Sequence, residues 1–269
     1  MIACQQWPIG ICGWSLKNDV SLLAKLLDLT GMTHLHLSLD PDLDSDNRDY
    51  LDAIEEQQWQ PTATMIGFDQ EDYSTLDSIR QTGGIVPDQD WDRNKQKILR
   101  AIELTASIKL KYLTFHFGFI DNTKPKLRER VKFLADAAGE KNVMILMETG
   151  QENAETLRDF LTELYHPALG VNFDPANMIL YGKGDPVQAL ETLAPWVKHV
   201  HIKDALRSPV AGEWGREVPW GEGDFDNNEF LRSLSRIGYQ GALAIEREAG
   251  STRMQDIQNT VGALQQFSV

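Results

Sequence analysis

Apolar residues along the chain fall into short runs of strand length, each followed by a longer segment whose apolar positions lie three and four apart. The short runs cover residues 9–14, 33–39, 61–66, 111–117, 143–148, 169–174, 197–203 and 242–246. The helical patterns include 19–29, 46–58, 91–108, 126–140, 153–164, 186–194, 227–237 and 252–266. A two-residue repeat marks the first kind and a 3.6-residue repeat the second. Local start signals agree. Asp226-Asn-Asn-Glu229 has the form of a capping box, and Pro186 follows Asp185 as a first-turn proline after its cap. Eight strand–helix units in succession predict an α/β fold, a closed (β/α)8 TIM barrel in a single domain over residues 1–269. Nothing of GxGxxG form follows the first run, which argues against an open dinucleotide-binding sheet.

Alternate residues of a barrel strand face the lumen and the helical jacket in turn. In the second strand Leu35, Leu37 and Leu39 share one face, and His34, His36, Ser38 and Asp40 the other. In the fourth, Leu113, Phe115 and Phe117 oppose Tyr112, Thr114 and His116. In the seventh, Val200 and Ile202 oppose His199, His201 and Lys203; in the eighth, Leu243 and Ile245 oppose Ala242, Ala244 and Glu246. The apolar faces suit the helices, which assigns titratable groups to the lumen. A purely structural barrel fills that space with Val, Ile and Leu.

Two connections exceed the length of plain turns, Gly67 to about Asp90 and Asp204 to Asp226. Loops beyond about 12–15 residues are usually functional covers or disordered. Both follow strand C-termini, the face on which barrel enzymes carry their chemistry. The second contains Gly212, Gly215, Gly221 and Gly223 with Trp214 and Trp220, the composition of a hinged cover with aromatic packing.

Composition narrows the function classes. The 269 residues are 42% hydrophobic and 25% charged, ordinary for a globular protein and sufficient for one barrel. The formal net charge of −14 repels polyanions, so neither nucleic acid nor an anionic membrane surface is an expected partner. No apolar run reaches the roughly 20 residues of a membrane span, and the first residues have no secretory-leader character. Cys4 and Cys12 are the only cysteines, too few for a disulfide framework. A cytoplasmic location is therefore expected. Nothing in the sequence chooses between a monomer and a homodimer.

At the ends of four consecutive strands stand Glu148, Asp174, His201 and Glu246, all inward by parity. Three carboxylates and an imidazole converging on one rim form a hard oxygen and nitrogen donor set, and like charges so close oppose joint ionisation unless a cation sits among them. A divalent metal is the expected cofactor, Mn²⁺ foremost, with Mg²⁺, Co²⁺ and Zn²⁺ fitting the same donors. A metal chelated by a ketone oxygen and the neighbouring hydroxyl acidifies the adjacent C–H, and proton removal gives a cis-enediolate. Glu148 and Glu246 flank the donor arc and can act as base and acid on opposite substrate faces. Reprotonation then yields an epimer or an aldose–ketose isomer, whereas loss of a β-hydroxyl yields dehydration. The expected partner is a small-molecule carbohydrate.

Five further residues are candidate substrate contacts. Arg207 follows the seventh strand and can offset enediolate charge. Lys203 can do the same or pair with a carboxylate. His116, ending the fourth strand, has a substrate role or a core role. Asn177 follows Asp174 within one turn. Trp14, ending the first strand, offers an apolar wall or plain packing. His34, His36 and His199 lie deeper and read as structural hydrogen-bonding groups.

These segments resemble the xylose isomerase-like TIM-barrel superfamily, and within it the sugar phosphate isomerase/epimerase group. The resemblance rests on LMETGQE around Glu148, VNFDPANMILYG around Asp174, VKHVHIKDA around His201, WGREVPWGEGDFD in the second long connection, and ALAIEREAG around Glu246. It covers nearly the whole chain, most strongly from the fourth strand onward. It implies a Glu–Asp–His–Glu metal set in which the two glutamates also serve as acid and base, and it maps a substrate arginine onto Arg207. Ketose 3-epimerases of this group carry a His where this chain has Asn177, so the resemblance does not define the substrate. The superfamily also contains inosose dehydratases, hydroxypyruvate isomerases and endonuclease IV enzymes. The nuclease reading conflicts with the acidic charge. A metal-dependent dehydratase, or a metal-binding barrel without catalysis, stands as the alternative to an isomerase or epimerase. Gly250-Ser251-Thr252 before the last helix can cap that helix or hold a phosphate on backbone N–H groups.

Overall fold

The computed structural model describes residues 2–268. Eight parallel strands close on themselves: β1 Trp7–Cys12, β2 His34–Ser38, β3 Gln60–Met65, β4 Tyr112–Phe115, β5 Met144–Glu148, β6 Leu169–Phe173, β7 Val197–Ile202 and β8 Leu243–Ile245. Each pairs with its sequence neighbours. The pairing of Leu243–Ile245 with Ile9–Ile11 joins β8 to β1 and leaves no open edge in the barrel. A short antiparallel strand, Ala3–Cys4, lies on the N-terminal part of β1. The fold is the TIM barrel expected from the periodicity.

Parity holds where it matters for the site. Leu35, Leu37 and Leu39 are buried toward the helices, and Phe115 stacks on Phe117 at 4.5 Å between ring centroids with Phe68 set edge-on to Phe115. Burying side chains of this size contributes about 1.5–3 kcal/mol each. The opposite face of the strands packs His36, His199 and His201 against one another, with centroids 4.5–5.9 Å apart. The lumen is thus polar at its centre.

Helix boundaries follow their caps. Asp19, Asn153, Asp185 and Asp226 each accept backbone N–H bonds at the helices they precede. The box at Asp226 is half made: Asp226 accepts Glu229 N–H at 2.9 Å, while the Glu229 carboxylate turns to Arg232 and Arg236. The pattern over 46–58 corresponds to Asp49–Glu56, and a separate helix, Asp40–Ser45, precedes it. Asp40 therefore starts a helix rather than ending β2. The first strand ends earlier than its apolar run, so Trp14 stands in the 3-10 turn Gly13–Leu16 that follows it.

The two long connections are ordered covers. The first contains the helix Leu76–Thr82 and returns to the barrel at Gly84, whose φ of +59° and closeness to the Phe117 carbonyl exclude a Cβ. Glu71 accepts the Gly84 N–H at 2.9 Å there. The second folds into an antiparallel hairpin, Asp204–Leu206 with Arg216–Val218. Its return is pinned by buried Asp204, whose Oδ2 accepts Gly221 N at 2.8 Å, Gly223 N at 3.2 Å and Asn227 Nδ2 at 3.0 Å. A side chain at Gly223 would collide with that carboxylate.

Candidate metal centre and cavity

Glu148 ends β5, Asp174 follows β6 as the N-cap of the helix Pro175–Leu180, His201 lies in β7 and Glu246 follows β8. Adjacent parallel strands in register bring these positions together. One donor atom from each of the four lies within 4.8 Å of the others, and all four side chains are buried. From His201 Nδ1 the distances are 2.9 Å to Glu246 Oε2, 3.3 Å to Glu148 Oε1 and 3.5 Å to Asp174 Oδ2.

Each carboxylate spends one oxygen on a protein donor. Trp14 Nε1 donates to Glu246 Oε1 at 2.7 Å, Asn177 Nδ2 to Glu148 Oε1 at 3.3 Å, and Asn177 N to Asp174 Oδ1 at 3.0 Å. The remaining oxygens, Glu148 Oε2, Asp174 Oδ2 and Glu246 Oε2, are buried without a hydrogen-bond partner among the described residues. Even the 2.9 Å approach of His201 Nδ1 to Glu246 Oε2 is not aligned as a hydrogen bond. Buried carboxylate oxygens without partners are costly. Two of them, Glu246 Oε2 and Asp174 Oδ2, lie 2.9 and 3.5 Å from His201 Nδ1, a donor set that a divalent cation fits.

The histidines fix which nitrogen is offered. His36 Nε2 lies 3.3 Å from the Thr64 carbonyl, which only accepts, so His36 presents an unprotonated Nδ1. His201 Nε2 lies 2.9 Å from that Nδ1 and 3.1 Å from Asn172 Nδ2, and its Nδ1 is the nitrogen near the carboxylates. A metal-ligating histidine commonly has its other ring nitrogen held in this way. Burial holds His36 and His199 well below the ordinary imidazole value, as neutral rings. Burial would also lower His201, but the Glu246 and Glu148 carboxylates outweigh it and hold the ring well above its ordinary value.

The carboxylates are tuned unequally. Burial raises Glu246, yet Lys203, His201 and the Trp14 N–H bring it well below the usual range. Burial likewise opposes Glu148, which His116 and His201 pull down. Asp174 is pushed up to about 6 by burial, against the pull of Lys203 and His201. Cys12 lies beside His36 and His201, but burial pushes its thiol up to about 12 and keeps it protonated. A protonated thiol is a poor ligand, so the carboxylate cluster is the better cation site.

A cavity of about 820 Å³ opens beside Glu148 and Glu246. Its lining includes Trp14, His116, Asn177 and Lys203, with Glu71 and Tyr73 from the first cover and Trp214 and Glu217 from the second.

The family model described as xylose isomerase-like TIM barrel matches residues 23–267. The chain belongs to that family. A xylose isomerase domain protein from Planctomyces limnophilus is similar to it over 96% of this chain and 95% of its own, at 29% identity and a TM-score of 0.86. D-psicose 3-epimerase from Clostridium cellulolyticum H10, solved with D-tagatose, matches 97% of this chain and 99% of its own at 14% identity and a TM-score of 0.68, a likeness of fold. The inosose dehydratase of Clostridium tetani is 26% identical over 162 residues, 54% of this chain, and the match spans about half of that relative's length.

Within this xylose isomerase-like barrel most of the expected site residues converge. Lys203 forms ion pairs rather than a free contact: its Nζ lies 3.1 Å from Glu248, 3.3 Å from Glu246 and 3.8 Å from Asp174. His116 Nε2 is 3.7 Å from Glu148 Oε2 and faces the cavity. Trp14 is a hydrogen-bond donor to Glu246 and not an apolar wall alone. Arg207 is not among the residues that line the cavity: it is exposed, its Nη1 donates to the Gly184 carbonyl at 3.3 Å, and its backbone N–H is held by Asp224. The hairpin after β7 carries it outward, a turn that residue spacing does not reveal. The last helix, Arg253–Gln266, has no side-chain cap at Thr252, whose hydroxyl donates to Asp256 instead.

Sequence reasoning misses several cavity residues. Glu248 had a signal, because it shares the parity of Glu246 two positions before. Glu71, Tyr73 and Tyr181 had none, since they sit in loops and a short helix with no strand period. His36, read as structural, proves to be the direct neighbour of His201.

Among the described residues, no helix is long and apolar enough to cross a membrane.

Proposed function

We propose that the protein is a divalent-metal-dependent isomerase or epimerase of a sugar, with Glu148, Asp174, His201 and Glu246 holding the metal. The observation that carries this reading is the convergence of one donor atom each from buried Glu148, Asp174, His201 and Glu246 within 4.8 Å of one another, with Glu148 and Glu246 lining a cavity on the catalytic face of the barrel. Mn²⁺ is the first choice among oxygen-preferring ions, with Mg²⁺, Co²⁺ and Zn²⁺ as alternatives. When bound, the metal would polarise a carbonyl and offset negative charge on the neighbouring oxygens.

The chain's own groups supply the rest. Glu246, held well below the ordinary range and oriented by Trp14, is ionised at neutral pH and suited to take a proton. Glu148 comes from the far side of the donor arc, steadied by Asn177, and, after taking a proton from solvent or a substrate hydroxyl, can deliver it to the opposite face of the same carbon or to its neighbour. Lys203 keeps positive charge beside Glu246 and Asp174. The covers limit water above the reacting carbon. The inosose dehydratase relative supports a second reading, loss of a β-hydroxyl from the same enediolate.

The test is proton exchange. Protein loaded with Mn²⁺ is incubated with ketohexoses and ketopentoses in D₂O and followed by NMR. Deuterium entering the carbon beside the carbonyl, lost in Glu148→Gln and Glu246→Gln, supports the proposal. A dehydrated product favours the second reading, and metal uptake with no exchange on any sugar leaves a binding barrel.

A further inference from the structure

The lining of the cavity is acidic, and one of its carboxylates is held far less than the rest. Six carboxylates line it: Asp40, Glu71, Glu148, Glu217, Glu246 and Glu248. Against them stand one ammonium, Lys203, one imidazole, His116, and no guanidinium among the described residues. Lys203 is already shared by Glu248, Glu246 and Asp174. Glu148 and Glu246 belong to the candidate metal centre, and the other four carboxylates lie outside it.

Three of those four are each held by two or more donors. Asp40 pairs with Lys97 at 2.8 Å and accepts the Gly67 N–H at 3.0 Å. Glu71 accepts the Gly84 N–H at 2.9 Å and the Phe68 N–H at 3.3 Å. Glu217 Oε1 accepts Arg247 Nη1 and the backbone N–H groups of Glu248 and Ala249. Glu248 differs. Its Oε2 meets Lys203 Nζ at 3.1 Å, its Oε1 has no hydrogen-bond partner among the described residues, and its side chain is 49% exposed. Its backbone is nonetheless fixed. Glu217 holds the Glu248 N–H at 2.9 Å, and the preceding Arg247 N–H donates to Ser15 Oγ at 3.0 Å.

Glu248 also stands close to the reacting groups. Lys203 Nζ lies 3.3 Å from Glu246 Oε2, so one ammonium bridges the two carboxylates. A substrate carbon presented to Glu246 therefore brings hydroxyls on the neighbouring carbons within reach of Glu248. A carboxylate accepts hydroxyl hydrogen bonds strongly and repels a phosphate or a second carboxylate. The Gly250-Ser251-Thr252 segment supplies no phosphate cradle to this wall, since all three residues are exposed and none lines the cavity.

We infer that Glu248 is the specificity-determining residue of the cavity: it accepts hydroxyls of an uncharged ketose and turns away phosphorylated or carboxylated sugars. This inference rests on the sugar reading of the site and keeps the free carbonyl which that reading requires. It is measured by binding rather than by turnover.

The experiment is calorimetric titration of the Mn²⁺-loaded protein with D-fructose, D-tagatose and the 1- and 6-phosphates of each, repeated on Glu248→Gln. At about pH 8 Glu248 is ionised, although partial desolvation pushes its carboxyl up to about 7. The half-exposed position accepts the amide with little risk to folding. At least one free ketose should bind about tenfold more tightly than either of its phosphates. In Glu248→Gln that ketose should weaken about three- to tenfold, and its advantage over the phosphates should shrink at least about threefold. The inference is overturned if a phosphate binds as tightly as its parent ketose, if Glu248→Gln leaves the ratio unchanged, or if none of these sugars binds. Tight phosphate binding together with C–H exchange in D₂O would discard the specificity and keep the isomerase reading. A ketose preference that disappears in Glu248→Gln, with no exchange on any sugar, would do the reverse.

Discussion

The Trp14 indole N–H donates to Glu246 Oε1 at 2.7 Å, joining the end of the first strand to the end of the last across the seam where the barrel closes. This bond leaves Glu246 Oε2 as the oxygen turned to the donor cluster, and it favours the ionised form of the carboxylate. Replacing the donor with a smaller apolar ring tests how much of the chemistry depends on it. In Trp14→Phe the Glu246 pKa should rise, since a hydrogen bond to the charged form is removed. The acid limb of the kcat/KM profile should move to higher pH, and kcat/KM at neutral pH should fall about 10–100-fold, the equivalent of about 1.5–3 kcal/mol for a charged hydrogen bond. An unchanged pH profile would show that Trp14 serves only as cavity wall.

Arg207 makes the opposite case. Its guanidinium bonds the Gly184 carbonyl on the outer surface. Arg207→Ala should keep kcat/KM within about twofold of the parent and change stability by under about 0.5 kcal/mol. A tenfold or larger rise in KM would mean that the hairpin swings Arg207 inward when substrate binds.

The contrast between these two residues marks where the sequence is legible. Residues at the ends of regular strands are readable because parity and register are local rules: Glu148, Asp174, His201 and Glu246 all follow from counting along a strand. The fold is readable for the same reason, as eight periodic units leave little choice of topology. Trp14 is harder. Its strand ends at Cys12, and a 3-10 turn redirects the indole toward a carboxylate 232 residues away. Arg207, Tyr73 and Tyr181 lie where the path is set by tertiary contacts such as the Asp204 anchor, and no sequence period encodes those.

That anchor is itself testable. Asp204 is buried and ties Gly221, Gly223 and Asn227 to the root of the second cover. Asp204→Ala leaves these donors unmatched. Stability should fall by about 1–3 kcal/mol in denaturant unfolding. Limited trypsin digestion should cut faster after Arg207 and Arg216, which flank the hairpin turn and are exposed. Equal cutting rates in parent and variant would show that the cover is held elsewhere.

Glu152 predicts a pH dependence of stability. Burial pushes its carboxyl from an ordinary 4.5 up to about 8, against the pull of Lys183. Between those two values the folded state binds a proton that the unfolded state has released, so stability declines as pH rises through the window. The slope from this group alone is about 1.4 kcal/mol per pH unit. Glu152→Gln removes it. Urea unfolding at about pH 5.5 and about pH 8.5 should show the variant gaining on the parent at the higher pH, by a few kcal/mol. A constant difference at both values would place Glu152 in its ionised form throughout.

Metal uptake should expel a proton from His201. Without a metal, the surrounding Glu246 and Glu148 carboxylates hold this imidazole well above its ordinary value, so at neutral pH it is expected to carry protons on both nitrogens. The Nε2 proton is committed to His36, and Nδ1 is the nitrogen that faces the carboxylates. A cation at that position requires the Nδ1 lone pair, and the Nδ1 proton must leave. Calorimetric titration with Mn²⁺ at neutral pH, in buffers of different ionisation enthalpy, should therefore report release of about one proton per metal. Affinity should rise with pH, by about tenfold per unit while His201 remains protonated in the free protein. Below about pH 6 the raised Asp174 adds a second proton to be displaced and steepens the dependence. Stripping the metal with chelator should lower the unfolding free energy by about 2.7 kcal/mol relative to protein held at a hundredfold excess over Kd. Binding that releases no proton and does not vary with pH would mean that the cation sits elsewhere than at His201.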